Sequence, residues 1–117
     1  MRIITQKRIK NTMLLYPQWK TGLKLWMETF KQKNINFESF EQIKTLWKES
    51  SGWNVDRVPA RNVTDKTFGS DIDLYIFDVH GTNCRIVTRI HPTNHRIFIR
   101  FVGSHQKYDK WCKLNIK

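Results

Sequence analysis

Leu74-Tyr75-Ile76-Phe77-Asp78-Val79, His80-Gly81-Thr82-Asn83, Arg85-Ile86-Val87-Thr88-Arg89-Ile90, His91-Pro92-Thr93-Asn94 and Arg96-Ile97-Phe98-Ile99-Arg100-Phe101-Val102-Gly103 form the stretch on which the fold turns. Three runs rich in β-branched and aromatic residues alternate with two short segments of Gly, Pro, Asn and His, the pattern of strands joined by tight turns. The spacing predicts an antiparallel meander. Side chains alternate between the faces of a strand, so Ile97, Ile99 and Phe101 are predicted on one face and Arg96, Phe98 and Arg100 on the other. On the preceding strand Ile86 and Ile90 alternate in the same way with Arg85, Val87 and Arg89. One face should be core and the other cationic, with few acids nearby to neutralise it.

Towards the N-terminus the period changes from two to that of a helix. After a short apolar start, Ile3-Ile4, Thr5 is placed to cap a helix from about Gln6 to Leu15, which Pro17 ends. Pro17 suits the first turn of a second helix, whose Trp19, Leu23, Trp26, Met27 and Phe30 recur on one face while Lys20, Lys24, Glu28 and Lys31 fall largely elsewhere. Ser39 with Gln42 three residues on is a capping-box pattern for a third helix carrying Phe40, Ile43, Leu46 and Trp47. From Glu49 to Ser70 no period survives, which predicts a long connection pinned by Trp53 and Val55. Helices before about residue 50 and a meander after about residue 72 make an α+β fold, with residues 1–117 as a single domain.

Charge narrows the function. Against 21 Lys and Arg stand 10 Asp and Glu, a formal charge of +11 in 117 residues. The imbalance is steepest from Arg85 onward, where Arg85, Arg89, Arg96, Arg100, Lys107, Lys110, Lys113 and Lys117 face one acid, Asp109, with His105 and Tyr108 among them. A polyanion is the expected partner, and nucleic acid the first to consider. Charge interrupts every apolar run, so no membrane span is expected, and the N-terminus turns polar too soon for a signal peptide; the cytoplasm is the expected location. Cys84 and Cys112 lack metal or disulfide spacing and read as reduced thiols. His91 and His95 bracket a turn with too few further ligands for a metal, and no cofactor-binding motif is present.

These residues resemble the HigB-type toxins of type II toxin-antitoxin systems, within the RelE superfamily of messenger-RNA endoribonucleases. The resemblance is carried by Ile3-Ile4-Thr5, by Tyr16-Pro17 with Lys20, Leu23 and Trp26, and by Phe77-Asp78-Val79-His80-Gly81-Thr82-Asn83 leading to Arg85. Its most specific part is Phe98-Ile99-Arg100-Phe101-Val102-Gly103-Ser104-His105-Gln106-Lys107-Tyr108-Asp109, which looks like the family's strand followed by Gly-Thr-His-x-x-Tyr-Asp, with Ser104 for Thr. Asp78 stands where members commonly have Asn, and Asp71-Ile72-Asp73 replaces a basic residue before the first meander strand. The resemblance implies N-terminal helices packed on a small, mainly antiparallel sheet whose open face cleaves messenger RNA in the ribosomal A site. It also implies a cognate HigA-type antitoxin with a helix-turn-helix domain.

Metal-free RNA cleavage needs a group to help deprotonate the 2′-hydroxyl, a cation for the charged phosphorane and an acid for the departing 5′-oxygen. His105 is the proton-transfer candidate, because imidazole titrates near working pH. Arg85 and Arg100 suit the phosphorane, since a guanidinium stays charged and forks onto phosphate oxygens. Tyr108 could orient the phosphate or stack on a base. Arg89, Arg96, Phe98, Lys107, Asp109 and Lys110 complete the expected RNA surface, and Asp109 and Lys66 are both open as the general base. Without catalysis the same residues would serve a basic RNA- or ribosome-binding module.

Overall fold

A computed structural model describes residues 1–32, 37, 39–64, 72–91 and 95–117. Strand β1 (Arg2–Ile4) leads into helix α1 (Gln6–Leu15), a 3-10 helix (Pro17–Trp19) and helices α2 (Lys20–Phe30) and α3 (Phe40–Ser51). Then follow β2 (Val55–Val58), a 3-10 helix (Ala60–Asn62), β3 (Leu74–Val79), β4 (Cys84–His91), β5 (Arg96–Ser104) and α4 (His105–Asn115). The sheet order is β1-β5-β4-β3-β2, with β1 parallel to β5 and all other pairs antiparallel. The architecture is α+β, as the sequence predicts, with the meander at its centre. No helix among the described residues is long and apolar enough to cross a membrane.

Three local readings change. The segment from Glu49 to Ser70 is not one irregular connection: α3 continues to Ser51, ends on Gly52 in the left-handed conformation (φ 83°), and β2 adds an edge strand to β3. Two charged residues in a four-residue strand gave β2 no apolar period, although Val55 is buried against the core. Residues 65–71 lie outside the described residues, and with them Lys66 and Asp71. Ile3-Ile4 is a strand, β1. Thr5 precedes α1 as expected but makes no side-chain capping bond, since its backbone is left-handed (φ 70°). Ser39 does cap α3, accepting from the Gln42 N–H at 3.4 Å.

The largest correction concerns the two faces. Val87 pairs with Phe101 but Thr88 pairs with Ile99, so Arg100 is an extra residue in β5. Such a bulge reverses side-chain parity beyond it. Ile97 and Ile99 point into the helix-side core, while Phe101 joins Leu74, Ile76, Val63 and Val87 on the opposite face. There α4 covers the sheet with Tyr108 and Trp111, and Ile116 just after it adds to the cover. This second face is therefore an apolar patch with a polar end, not an open cationic surface.

The helix-side core rests on aromatics. Phe30 meets Phe77 edge-on at 5.0 Å and Trp26 meets Phe77 at 5.4 Å, and each such side chain contributes roughly 1.5–3 kcal/mol by burial. Trp47 donates from Nε1 to the Asp78 carbonyl at 2.9 Å, which ties α3 to β3 at Asp78. Gly22 lets α2 approach the β3–β4 turn: its N–H donates to His80 Nε2 at 3.2 Å, and a Cβ there would lie 2.7 Å from the His80 ring.

Candidate active site

Arg85 is the hinge of the site. On β4 it pairs in register with Asp78 of β3 and Gly103 of β5. Its guanidinium forms an ion pair with Asp78 Oδ1, and both side chains are buried, 10% and 13% exposed. Burial lifts the Asp78 carboxyl above its ordinary value, and the guanidinium opposes that lift; Asp56 of β2 adds to it. Gly103 keeps the neighbouring position clear. A Cβ on it would sit 2.8 Å from the Phe101 ring, which covers that spot instead.

From Asp78 the chain of contacts leads outward. Arg85 Nη2 lies 3.3 Å from His105 Nδ1, and His105 Nε2 lies 3.3 Å from Asp109 Oδ2. A guanidinium only donates, so Nδ1 is the acceptor, the proton sits on Nε2, and Nε2–H donates to the carboxylate. His105 is held at the first turn of α4: Ser104 accepts from the Lys107 N–H at 3.3 Å, and the His105 N–H donates to the Asn83 carbonyl at 3.1 Å. Tyr108 closes the cluster, with the Arg85 guanidinium 5.4 Å above its ring. Its hydroxyl donates to Cys112, and burial first, then that bond, raises its pKa, so it is a neutral phenol at working pH.

His105, Arg85, Tyr108 and Asp109 thus meet, from two elements separated by a whole strand. Arg100 stands at the β5 bulge, half-buried, with its carbonyl accepting from Arg8 Nη1 at 3.4 Å. Lys107 reaches the other way, its Nζ 3.4 Å from the Tyr16 hydroxyl. Lys110 is exposed on α4, and Arg96 is exposed at the start of β5, beside Arg2. Phe98 packs its half-buried ring against His91 at 5.1 Å.

Arg89 does not belong to an RNA surface. It is fully buried and donates from Nη1 to the Ile72 carbonyl at 2.6 Å, four residues and about 13 Å along β4 from Arg85. Its place in the alternation was right, but α4 and the segment before β3 fill that face. The expectation of few nearby acids also fails: Asp78, Asp56 and Asp109 all act on this cluster. Asp78 was legible, since a four-residue turn at 80–83 places an acid of one strand directly opposite Arg85 on the next. Asp56 was not, because β2 itself gave no signal.

Comparison with known proteins bears on this cluster. Residues 19–111 match the family described as HigB_toxin, RelE-like toxic component of a toxin-antitoxin system, a span that includes Arg85, His105, Tyr108 and Asp109. Over 110 residues the chain is 26% identical to the mRNA interferase HigB of Escherichia coli O6:H1 (strain CFT073), covering 94% of this chain and 90% of that protein.

Proposed function

Because the chain belongs to the HigB toxin family, the RelE-like toxic components of toxin-antitoxin systems, we propose that it is an mRNA interferase: a ribosome-dependent endoribonuclease that stops translation in the cytoplasm. The single domain of residues 1–117 is restrained by a cognate HigA-type antitoxin with a helix-turn-helix domain. The observation that carries this reading is the chain Asp78–Arg85–His105–Asp109, in which a buried guanidinium abuts an imidazole whose far nitrogen is fixed by a carboxylate.

In this reading the scissile phosphate draws Arg85 Nη2 away from His105, which opens Nδ1. The 2′-hydroxyl oxygen attacks phosphorus, its proton passes to Nδ1, and charge gathers on the phosphorane oxygens beside Arg85 and Arg100. The P–O5′ bond then breaks, the 5′-oxygen takes the proton held on His105 Nδ1, and a 2′,3′-cyclic phosphate remains. Asp109 keeps the ring oriented throughout, as the carboxylate of a catalytic triad does. Tyr108 orients the phosphate through its ring edge and the Arg85 contact, and Lys107, Lys110, Arg96 and Phe98 hold flanking RNA. The reading assigns catalysis no divalent ion, since among the described residues the carboxylates Asp78 and Asp109 are already paired with a guanidinium and an imidazole.

One observation favours a second reading. Asp78 already neutralises Arg85, which fits a non-catalytic RNA- or ribosome-binding module whose affinity comes from exposed lysines. Induction of the chain in growing bacteria, with mapping of new 5′ ends on messenger RNA, separates the two. An interferase creates ends inside translated regions and a binder creates none; cutting of naked RNA that chelator abolishes would refute the ribosome-dependent, metal-free form.

A further inference from the structure

Arg85 stands among more negative charge than a phosphate-binding guanidinium needs. Asp78 faces it across β3 and β4, Asp109 reaches it through His105, and Asp56 of β2 acts on the same cluster. Asp109 is 54% exposed, so water screens it, whereas Asp78 is buried and in direct contact with the guanidinium. Asp78 is also fixed in place. Its N–H donates to the Asn54 carbonyl at 3.0 Å and its carbonyl accepts from Trp47 Nε1 at 2.9 Å, so the chain just before β2 and helix α3 both hold its backbone. An anion arriving at Arg85 therefore cannot push this carboxylate aside and must share the guanidinium with it.

The guanidinium itself is only partly used. Nη1 is taken by Asp78 and Nη2 faces His105 Nδ1, but Nε, itself buried, has no hydrogen-bond partner among the described residues. A buried donor without an acceptor is costly, and such groups mark places where a further acceptor binds. Nε–H and one Nη2–H point along the same edge of the guanidinium, the fork that grips an oxyanion side-on. That edge lies beside the imidazole. Arg85 thus combines a ready fork for one phosphate with a fixed carboxylate that cancels its charge.

We propose that Asp78 is a restraint built into this site: on the nuclease reading of Arg85, its carboxylate sets how tightly the Nε–Nη2 fork holds the scissile phosphate. Asp78 acts through Arg85 and touches no RNA, so it is a positioning residue. Asn in its place keeps an acceptor oxygen for Nη1 and removes the charge, which preserves the geometry while strengthening the fork. An ion pair of purely structural value would behave in the opposite way, since its loss would loosen Arg85 and weaken the site.

Sulfate is the probe, because its charge stays constant over the pH range used, and its binding to the full chain is followed through the His105 ring signals by NMR. Asp78→Asn is expected to bind sulfate about 10-fold more tightly than the parent at pH 7. In an Arg85→Ala background the same change should give no tightening. The advantage of Asp78→Asn should shrink as pH falls, because burial lifts the Asp78 carboxyl and its protonation removes the parent's charge. Of the other groups that act on Asp78, Arg85 stays charged, and His105 and Asp56 are common to both proteins. On programmed ribosomes Asp78→Asn should reach half-maximal cleavage at lower toxin concentration, with a parent-like rate at saturation. If Asp78→Asn does not fold, the parent alone decides: by linkage, saturating sulfate moves the Asp78 carboxyl titration to higher pH. Parent-like or weaker sulfate binding by the folded variant, or an Asp78 titration indifferent to sulfate, would overturn the restraint. Tighter sulfate binding with no cleavage by either protein would support the restraint and overturn the nuclease reading instead.

Discussion

Arg85→Ala tests the site and the fold together, because Arg85 is not on the wet face that strand alternation implied. Its side chain is 10% exposed and its ion-pair partner Asp78 is 13% exposed. Removing one partner of a buried pair leaves the other charge uncompensated, which typically costs about 3–5 kcal/mol. That is a large share of the roughly 5–15 kcal/mol by which a domain is stable. The lower end is expected at acidic pH. Burial already lifts Asp78, and without the opposing guanidinium the lift grows, so the folded variant binds a proton more tightly than the unfolded chain. The variant is therefore most stable, relative to the parent, below the ordinary carboxylate value of 3.8, and loses that relief as pH rises through the lifted value.

Urea unfolding of Arg85→Ala, Asp78→Asn and the double variant, at several pH values, reads all of this. The double variant should be more stable than Arg85→Ala alone, with a coupling of about 1–3 kcal/mol, because no lone charge remains. A fall of less than about 0.5 kcal/mol for Arg85→Ala, the size of an ordinary surface change, would refute the buried-pair argument. So would a deficit that does not shrink as pH falls.

Gly22→Ala should destabilise by about 1–3 kcal/mol in thermal melts, since its Cβ would press to 2.7 Å against His80 and Val79, outweighing the gain in helix propensity. A variant as stable as the parent would show that the β3–β4 turn can yield. Cys84 is buried and its thiol is pushed up to about 12, so at pH 8.5 iodoacetamide should leave it unmodified until the chain unfolds, as mass spectrometry can count. By the same shift, stability should fall as pH rises from about 9 towards 12, where the unfolded thiol ionises first. Trp47→Phe keeps most of the packing but loses the bond from Nε1 to the Asp78 carbonyl, and should cost about 1–3 kcal/mol by urea unfolding.

The meander strands were readable as apolar runs between turn residues, and α2 and α3 by their helical period, with Pro17, Ser39 and the Gly81 turn marking ends. What escaped depends on tertiary pairing. β1 has three residues and exists only by lying parallel to β5, and β2 has two charged residues among four and exists only as an edge to β3. The bulge at Arg100 has no sequence mark, yet it decides that Phe101 faces α4 and hence that the second face is covered. At the site, His105, Arg85, Tyr108 and Asp109 were legible as residue types suited to RNA cleavage. That Asp78 holds Arg85, and that Arg89 is buried against the Ile72 carbonyl, required the register and the covering elements.

The proposed function stands on His105 moving the proton in RNA cleavage. It is tested most directly by inducing the parent and His105→Ala to equal levels and mapping new 5′ ends on messenger RNA. His105 is about half exposed, so the variant should fold and bind antitoxin as the parent does. Loss of a proton-transfer group slows such steps by about 10²–10⁴-fold. Abundant new ends within translated regions are therefore expected for the parent and none above background for His105→Ala. Equal cleavage by a folded His105→Ala protein would contradict it.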